Sequence, residues 1–125
     1  MFQIDLLSRT PIYEQIVEQM ERFILTGVIS PGEQVPSVRS VAVEHSVNPR
    51  TILKAYADLD ARGVIRPVPG KGYFVCENAK QILSAVRLTM LGELSELLDK
   101  IVGAGIDKKT VLKYVDTAYA ADLKD

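Results

Sequence analysis

Residues 36–75 read PSVRSVAVEHSVNPRTILKAYADLDARGVIRPVPGKGYFV, and the order of local signals in this stretch decides the fold. Two short helical patterns, Ser37 to Ser46 and Asn48 to Arg62, are followed at once by a glycine-flanked hairpin from Val64 to Val75. The second helix has a strong start signal, because Asn48 can cap the free amides and Pro49 at the first helical position has no amide to leave unpaired. Its end is equally marked, with Arg62 in the last turn and Gly63 placed to take the left-handed conformation that stops a helix. Ile52, Ala55, Tyr56 and Leu59 recur at i, i+3, i+4 and i+7, which makes one buried stripe and turns Arg50, Lys54, Ala57 and Ala61 outward.

That outer face carries a cation near the helix start, where the helix dipole disfavours it unless something anionic lies close. Small residues beside the cations let the helix approach another surface. A nucleic-acid groove meets both conditions, and a recognition helix reads base edges mainly with its N-terminal residues. A solvated helix face shows the same charge pattern, so the neighbours decide. Pro36 and Ser37 set a capped start for the first helix, with Arg39 on its first turn, where a phosphate is the natural partner. Val47 and Asn48 leave the short connection that a helix-turn-helix needs. The hairpin runs Val64 to Pro67, a Val68-Pro69-Gly70-Lys71-Gly72 turn, and Tyr73 to Cys76. It reads as a wing with one lysine at its tip, although standing alone it would be an ordinary hairpin.

Pro36, Ser37 and Arg39, then Val47, Asn48, Pro49, Arg50 and Thr51, then Gly63, and finally Gly70, Lys71, Gly72, Phe74 and Val75 resemble the winged helix-turn-helix of the GntR family of bacterial transcription regulators. Pro11-Ile12-Tyr13-Glu14-Gln15-Ile16 and the Gly27, Ser30, Pro31, Gly32 segment extend the likeness to residues 10–76. The short tail is similar to the YtrA-like subfamily. The resemblance implies a DNA contact at Arg39, the arginine that follows the Pro36-Ser37 pair. It also implies a cap and a threonine at the recognition-helix start, Asn48 and Thr51, and a wing glycine and cation, Gly70 and Lys71. Where many members carry arginines within the recognition helix, this chain has Pro49 and Leu53, so Arg50 and Lys54 take over the charge and base preference does not transfer.

The rest of the chain sets the bounds. Its 125 residues, 47% hydrophobic, suit a globular chain of one domain or one plus an appendage. A net charge of −1 gives no global sign of a polyanionic partner. Within residues 36–76, however, Arg39, Arg50, Lys54, Arg62, Arg66 and Lys71 outnumber Glu44, Asp58 and Asp60. Met1 to Asp5 lacks the basic start of a secretory signal, and no stretch approaches the roughly 20 apolar residues of a membrane span. The single Cys76 fits a reducing cytoplasm and a small strand residue.

Met1 to Arg9 reads as a loosely held arm. Thr10 and Pro11 then open a helix with Ile12, Ile16, Met20, Phe23 and Ile24 on one face, stopped by Gly27. Glu14, Glu18 and Glu21 lie on its solvated side, with nothing placed to tune them as acid and base. Gln34 and Val35 are a candidate short strand beside the wing. His45, the only histidine, is in line with Val38, Val41 and Ala42 and closes the inner face of its helix. Without partner His or Cys residues no metal site is expected, and neither a catalytic constellation nor a cofactor-binding loop is present, so no enzyme is expected.

After Cys76, Ala79 to Val102 reads as a helix of about six turns with Leu83, Val86, Met90, Leu94, Leu97 and Ile101 at spacings of three and four. Leu91, Leu98 and Val102 broaden the band. Gly103, Ala104 and Gly105 break it, Asp107 caps a second helix, and Val111, Leu112, Val115, Ala118 and Tyr119 form that helix's apolar side. Two helices of this size cannot bury such a band alone. The expectation is a mainly α fold with a small β-hairpin: a winged helix-turn-helix over 1–76, then a two-helix dimerisation hairpin over 77–125. Dimer contacts fall on Leu83, Val86, Met90, Leu94, Leu97, Leu98, Ile101, Val115 and Tyr119. The expected function is a homodimeric DNA-binding regulator, most simply a repressor on a pseudo-palindromic operator. Ser37, Arg39, Asn48, Arg50, Thr51, Lys54, Gly70 and Lys71 would face double-stranded DNA. Two alternatives stay open: a switch with a small-molecule effector in a cleft between chains, and a winged module that docks a protein.

Overall fold

The computed structural model describes residues 1–123. Five helices and one hairpin follow in order: α1 Ile12–Leu25, α2 Val38–His45, α3 Pro49–Ala61, β1 Ile65–Val68, β2 Gly72–Val75, α4 Ala79–Gly103 and α5 Lys108–Leu123. They form two compact units, Met1–Val86 and a second beginning at Arg87, so the first two turns of α4 belong with the winged unit.

The first unit is built around α3. Its stripe of Ile52, Ala55, Tyr56 and Leu59 is fully buried, packed in one core with Ile16, Met20 and Ile24 of α1, Val41 and Ala42 of α2, and Ile65 and Val75 of the wing. The expected stripe and the observed one coincide, because spacings of three and four place these residues on one side of a 3.6-residue helix. Tyr56 does more than fill space. Its hydroxyl donates to the Pro36 carbonyl at 2.6 Å, and its ring meets that of Tyr73 on β2 edge-on, centroids 5.3 Å apart.

Each turn has an identifiable cause. Asn48 Oδ1 accepts the Arg50 amide at 2.9 Å and Ser37 Oγ accepts the Ser40 amide at 3.0 Å, so both helices of the pair are capped by their own sequence. Between them Ser46 adopts φ 53°, the left-handed conformation, and the Val47 amide donates back to the Ala42 carbonyl. Gly63 at φ 77° ends α3. The wing pairs Ile65 with Val75, Arg66 with Phe74, Pro67 with Tyr73 and Val68 with Gly72. Residues 33–35 flank its other edge as a single bridge, Gln34 with Phe74, extended by the Val35 amide to Tyr73 and the Val75 amide to Glu33.

Three expectations need correction. The N-terminal arm is not loose: Phe2 is buried, and two glutamines on α1 grip the backbone like a short strand. Gln19 exchanges hydrogen bonds with Gln3, and Gln15 with Asp5, each side-chain amide accepting from N–H and donating to C=O. An amide side chain carries both groups at peptide spacing, so it can complete a backbone's pairing. Glu21 is not merely solvated, since its carboxylate meets Arg62 at 2.8 Å and links α1 to the end of α3. Leu83 is 2% exposed in the core of the winged unit and is not available to a second chain.

In the second unit the glycine turn forms as read, with the Ala104 and Ile106 amides returning to the Ile101 carbonyl and the Thr110 hydroxyl hydrogen-bonded to the Asp107 carboxylate. The apolar band stays uncovered. Met90, Leu91, Leu94, Leu97 and Val102 on α4, and Leu112, Val115 and Tyr119 on α5, are all exposed; Leu98, Ile101 and Val111 are half-buried. No described helix is long and apolar enough to cross a membrane.

Burial raises the Tyr56 phenol above its ordinary value, and Tyr73 adds to the effect. The folded chain therefore keeps this proton where the unfolded chain loses it. The resulting stability is complete below about pH 10 and declines as pH rises further. Replacing Tyr56 by Phe leaves the Pro36 carbonyl unpaired and is expected to cost about 1–2 kcal/mol at neutral pH, with a shallower alkaline decline than the parent in denaturant titrations.

Candidate nucleic-acid interface

The residues singled out from sequence fall on the first unit at three places. Ser37 and Arg39 open α2, Asn48, Arg50, Thr51 and Lys54 occupy the first two turns of α3, and Gly70 and Lys71 form the wing tip. All are exposed except Thr51, which is half-buried. Neither α2 nor α3 has an acidic residue in its first turn, so each positive helix end is reinforced by an arginine rather than offset. A protein surface gains nothing from that arrangement by itself; an anion at those two helix starts makes it favourable.

The capping side chains keep free hydrogen-bonding groups. Asn48 spends its oxygen on the Arg50 amide and keeps its NH2 group as a donor, while Ser37 accepts from Ser40 and keeps its hydroxyl hydrogen. Leu53, 47% exposed, adds apolar surface beside Arg50 and Lys54 where arginine is common in the resembled family. Lys54 is not free in solvent: its ammonium lies 3.9 Å from the centroid of the Tyr13 ring on α1. Sequence reading missed this, because Tyr13 and Lys54 are far apart in the chain and only helix packing joins them.

The wing tip is shaped by its own chemistry and by one distant residue. The Lys71 amide closes on the Val68 carbonyl at 2.9 Å with Pro69 and Gly70 between, Gly70 at φ 76°, the arrangement of a type II turn. This tightens the turn and shifts both strands one residue toward the tip relative to the expected Val64–Pro67 and Tyr73–Cys76. Gln34 then donates from Nε2 to the Lys71 carbonyl at 2.6 Å. Gly72, at φ 111°, holds a backbone conformation that residues with side chains rarely adopt, and a Cβ would stand 2.9 Å from that same Nε2, so the Gln34 side chain would have to move. Gln34 thus supports the turn that presents Lys71, a role for which the only sequence signal was its position in a candidate strand.

His45 is half-buried, with Nε2 enclosed and no hydrogen-bond partner among the described residues. Cys76 is half-buried just beyond β2.

A profile of bacterial regulatory proteins of the gntR family matches residues 12–75, from the start of α1 to the end of β2. The chain belongs to the GntR family. As a GntR protein it is a DNA-binding transcriptional regulator, and the capped helices and the wing are the parts this family carries. Over 125 residues it is 39% identical to the HTH-type transcriptional repressor YtrA of Bacillus subtilis, covering 99% of this chain and 95% of that one. Among solved structures, a transcriptional regulator from Oenococcus oeni is similar with a TM-score of 0.69 and 30% identity, over 95% of this chain and 99% of the other. AraR(DBD) in complex with operator ORE1 is similar with a TM-score of 0.52 and 33% identity, over 61% of this GntR chain and 95% of that chain.

Because Asn48 is first of all a cap, Asn48→Ala is expected to cost about 1 kcal/mol in urea unfolding, and Asn48→Asp to recover most of it. The aspartate would still weaken DNA binding in a filter assay if this end of α3 meets phosphates, since it caps equally well but carries a negative charge.

Proposed function

We propose that this GntR regulator binds a pseudo-palindromic operator as a homodimer in the cytoplasm and represses transcription by occupying promoter DNA. Residues 1–76 are its DNA-binding part and 77–125 its dimerisation tail, with the start of α4 as far as Val86 packed into the winged unit. The observation that carries the reading is the outer face of α3, a capped helix opening with an unopposed arginine and small exposed neighbours, next to a wing that ends in Lys71. Arg50, with the Asn48 amide, has the reach and donors to read base edges. Ser37, Arg39, Thr51 and Lys71 are suited to phosphates, with Gly70 letting the wing backbone come close.

The dimer follows from the tail. Val86, Met90, Leu94, Leu97, Val115 and Tyr119 lie exposed along its helices, with Leu98 and Ile101 half-buried beside them, too large an apolar band to leave in water. A second copy covers it with the same band under two-fold symmetry. Two recognition helices then meet half-sites about one helical turn apart, and the second binds at high effective concentration. The repressor assignment draws support from YtrA, which is named for that action.

Selection of bound sites from random duplexes tests the reading, with a two-fold symmetric consensus expected and an asymmetric or absent one against it. On the selected site, Arg50→Ala should weaken binding by about 1–3 kcal/mol and relax preference at one position per half-site. Lys71→Ala should lower affinity evenly across sequences and reduce the salt slope by about one. Leu94→Asp with Leu97→Asp is expected to give a monomer in sedimentation with a folded winged unit and operator affinity at least tenfold lower.

A further inference from the structure

The Lys54–Tyr13 contact joins two elements with separate tasks. Tyr13 stands on the first turn of α1, the helix packed along α3, and Lys54 leaves α3 one turn after Arg50 on the same outward side. A lysine has four rotatable bonds and disperses its charge over a wide arc unless something holds it. Here the ring holds it, 3.9 Å from ammonium to centroid.

Among the described residues, neither acid nearby forms an ion pair with Lys54. Asp58, one turn further along α3, meets Arg62 Nε at 3.5 Å, and Glu14 accepts the Tyr13 hydroxyl at 3.2 Å. The kind of partner matters. A carboxylate would fix Lys54 by cancelling its charge, whereas the face of a neutral ring fixes it by its quadrupole and leaves the charge available to a third group. A tyrosine ring is neutral at physiological pH, and the hydroxyl's bond to Glu14, with the charge on Glu14 acting in the same direction, raises the Tyr13 phenol further above its ordinary value.

We propose that Tyr13 is a positioning residue for DNA binding: its ring holds the Lys54 ammonium on the α1 side of the recognition helix, aimed at a backbone phosphate rather than at base edges. The inference rests on the reading above that the outer face of α3 meets DNA. It makes α1 part of the recognition apparatus, although α1 need make no contact of its own, and it leaves base discrimination to the start of α3.

The test is a double-mutant cycle on the full chain, by mobility-shift titration on the selected duplex with folding checked by thermal unfolding. Lys54→Met is expected to weaken binding severalfold without changing which sequences are preferred, and to lower the salt slope by about one. Tyr13→Leu should lose about two- to fivefold, the scale of an exposed cation–π contact. Tyr13→Phe, which keeps the ring, should recover that loss. In the Lys54→Met background, Tyr13→Leu should cost nothing further. If it costs the same factor there, the ring acts through the fold or touches DNA itself and the positioning role is overturned. If Tyr13→Leu binds like the parent, it is overturned as well. If Lys54→Met alone binds like the parent, it is the DNA-facing reading of Lys54 that fails, and the inference goes with it.

Discussion

The buried hydroxyl of Tyr56 ties the winged unit together. A phenol taken out of water must find an acceptor, and this one finds the Pro36 carbonyl, at the point where the chain turns into α2. The same ring, on the inner face of α3, packs edge-on to Tyr73 of the wing. One side chain therefore sets the approach of α2, the rotation of α3 about its own axis and the seat of the hairpin. Rotation is the sensitive quantity, since the side of α3 that faces outward is whatever remains after Ile52, Ala55, Tyr56 and Leu59 have turned in.

Around that core, polar side chains serve the fold and the surface together. Ser37 and Asn48 cap helices and still offer donors outward, Gln34 braces the wing turn, and Arg62 joins α1 to α3 through Glu21. A half-exposed ion pair of this kind contributes up to about 1 kcal/mol, less than the burial of a single core isoleucine. The winged unit is held mainly by its apolar stripe. Arg39 and Arg50 at the starts of α2 and α3 are slightly unfavourable for the free protein, and a phosphate backbone placed there would turn that cost into affinity.

The tail follows a different logic. Its helices carry a leucine-rich band but bury little of it within one chain. In the proposed dimer, coupling association to DNA binding would make occupancy depend on protein concentration as well as on operator sequence. A small chain would thereby gain a steeper response than one winged domain provides.

The sequence by itself determined the local structure. Asn48-Pro49, Ser37, Gly63 and the Pro69-Gly70 turn each prescribe a backbone conformation from a few adjacent residues, and the spacing of Ile52, Ala55, Tyr56 and Leu59 chose the buried side of α3. Those are short-range effects, legible without coordinates. The family likeness was legible for the same reason, being a run of such signals in order. What only the tertiary structure decided are the pairings across distance: Tyr13 under Lys54, Gln34 on the Lys71 carbonyl, Glu21 on Arg62, the two glutamines gripping the arm, and Leu83 drawn into the core ahead of the tail. Each depends on where α1, α3 and the wing come to lie against one another, and periodicity within a single element carries no information about that.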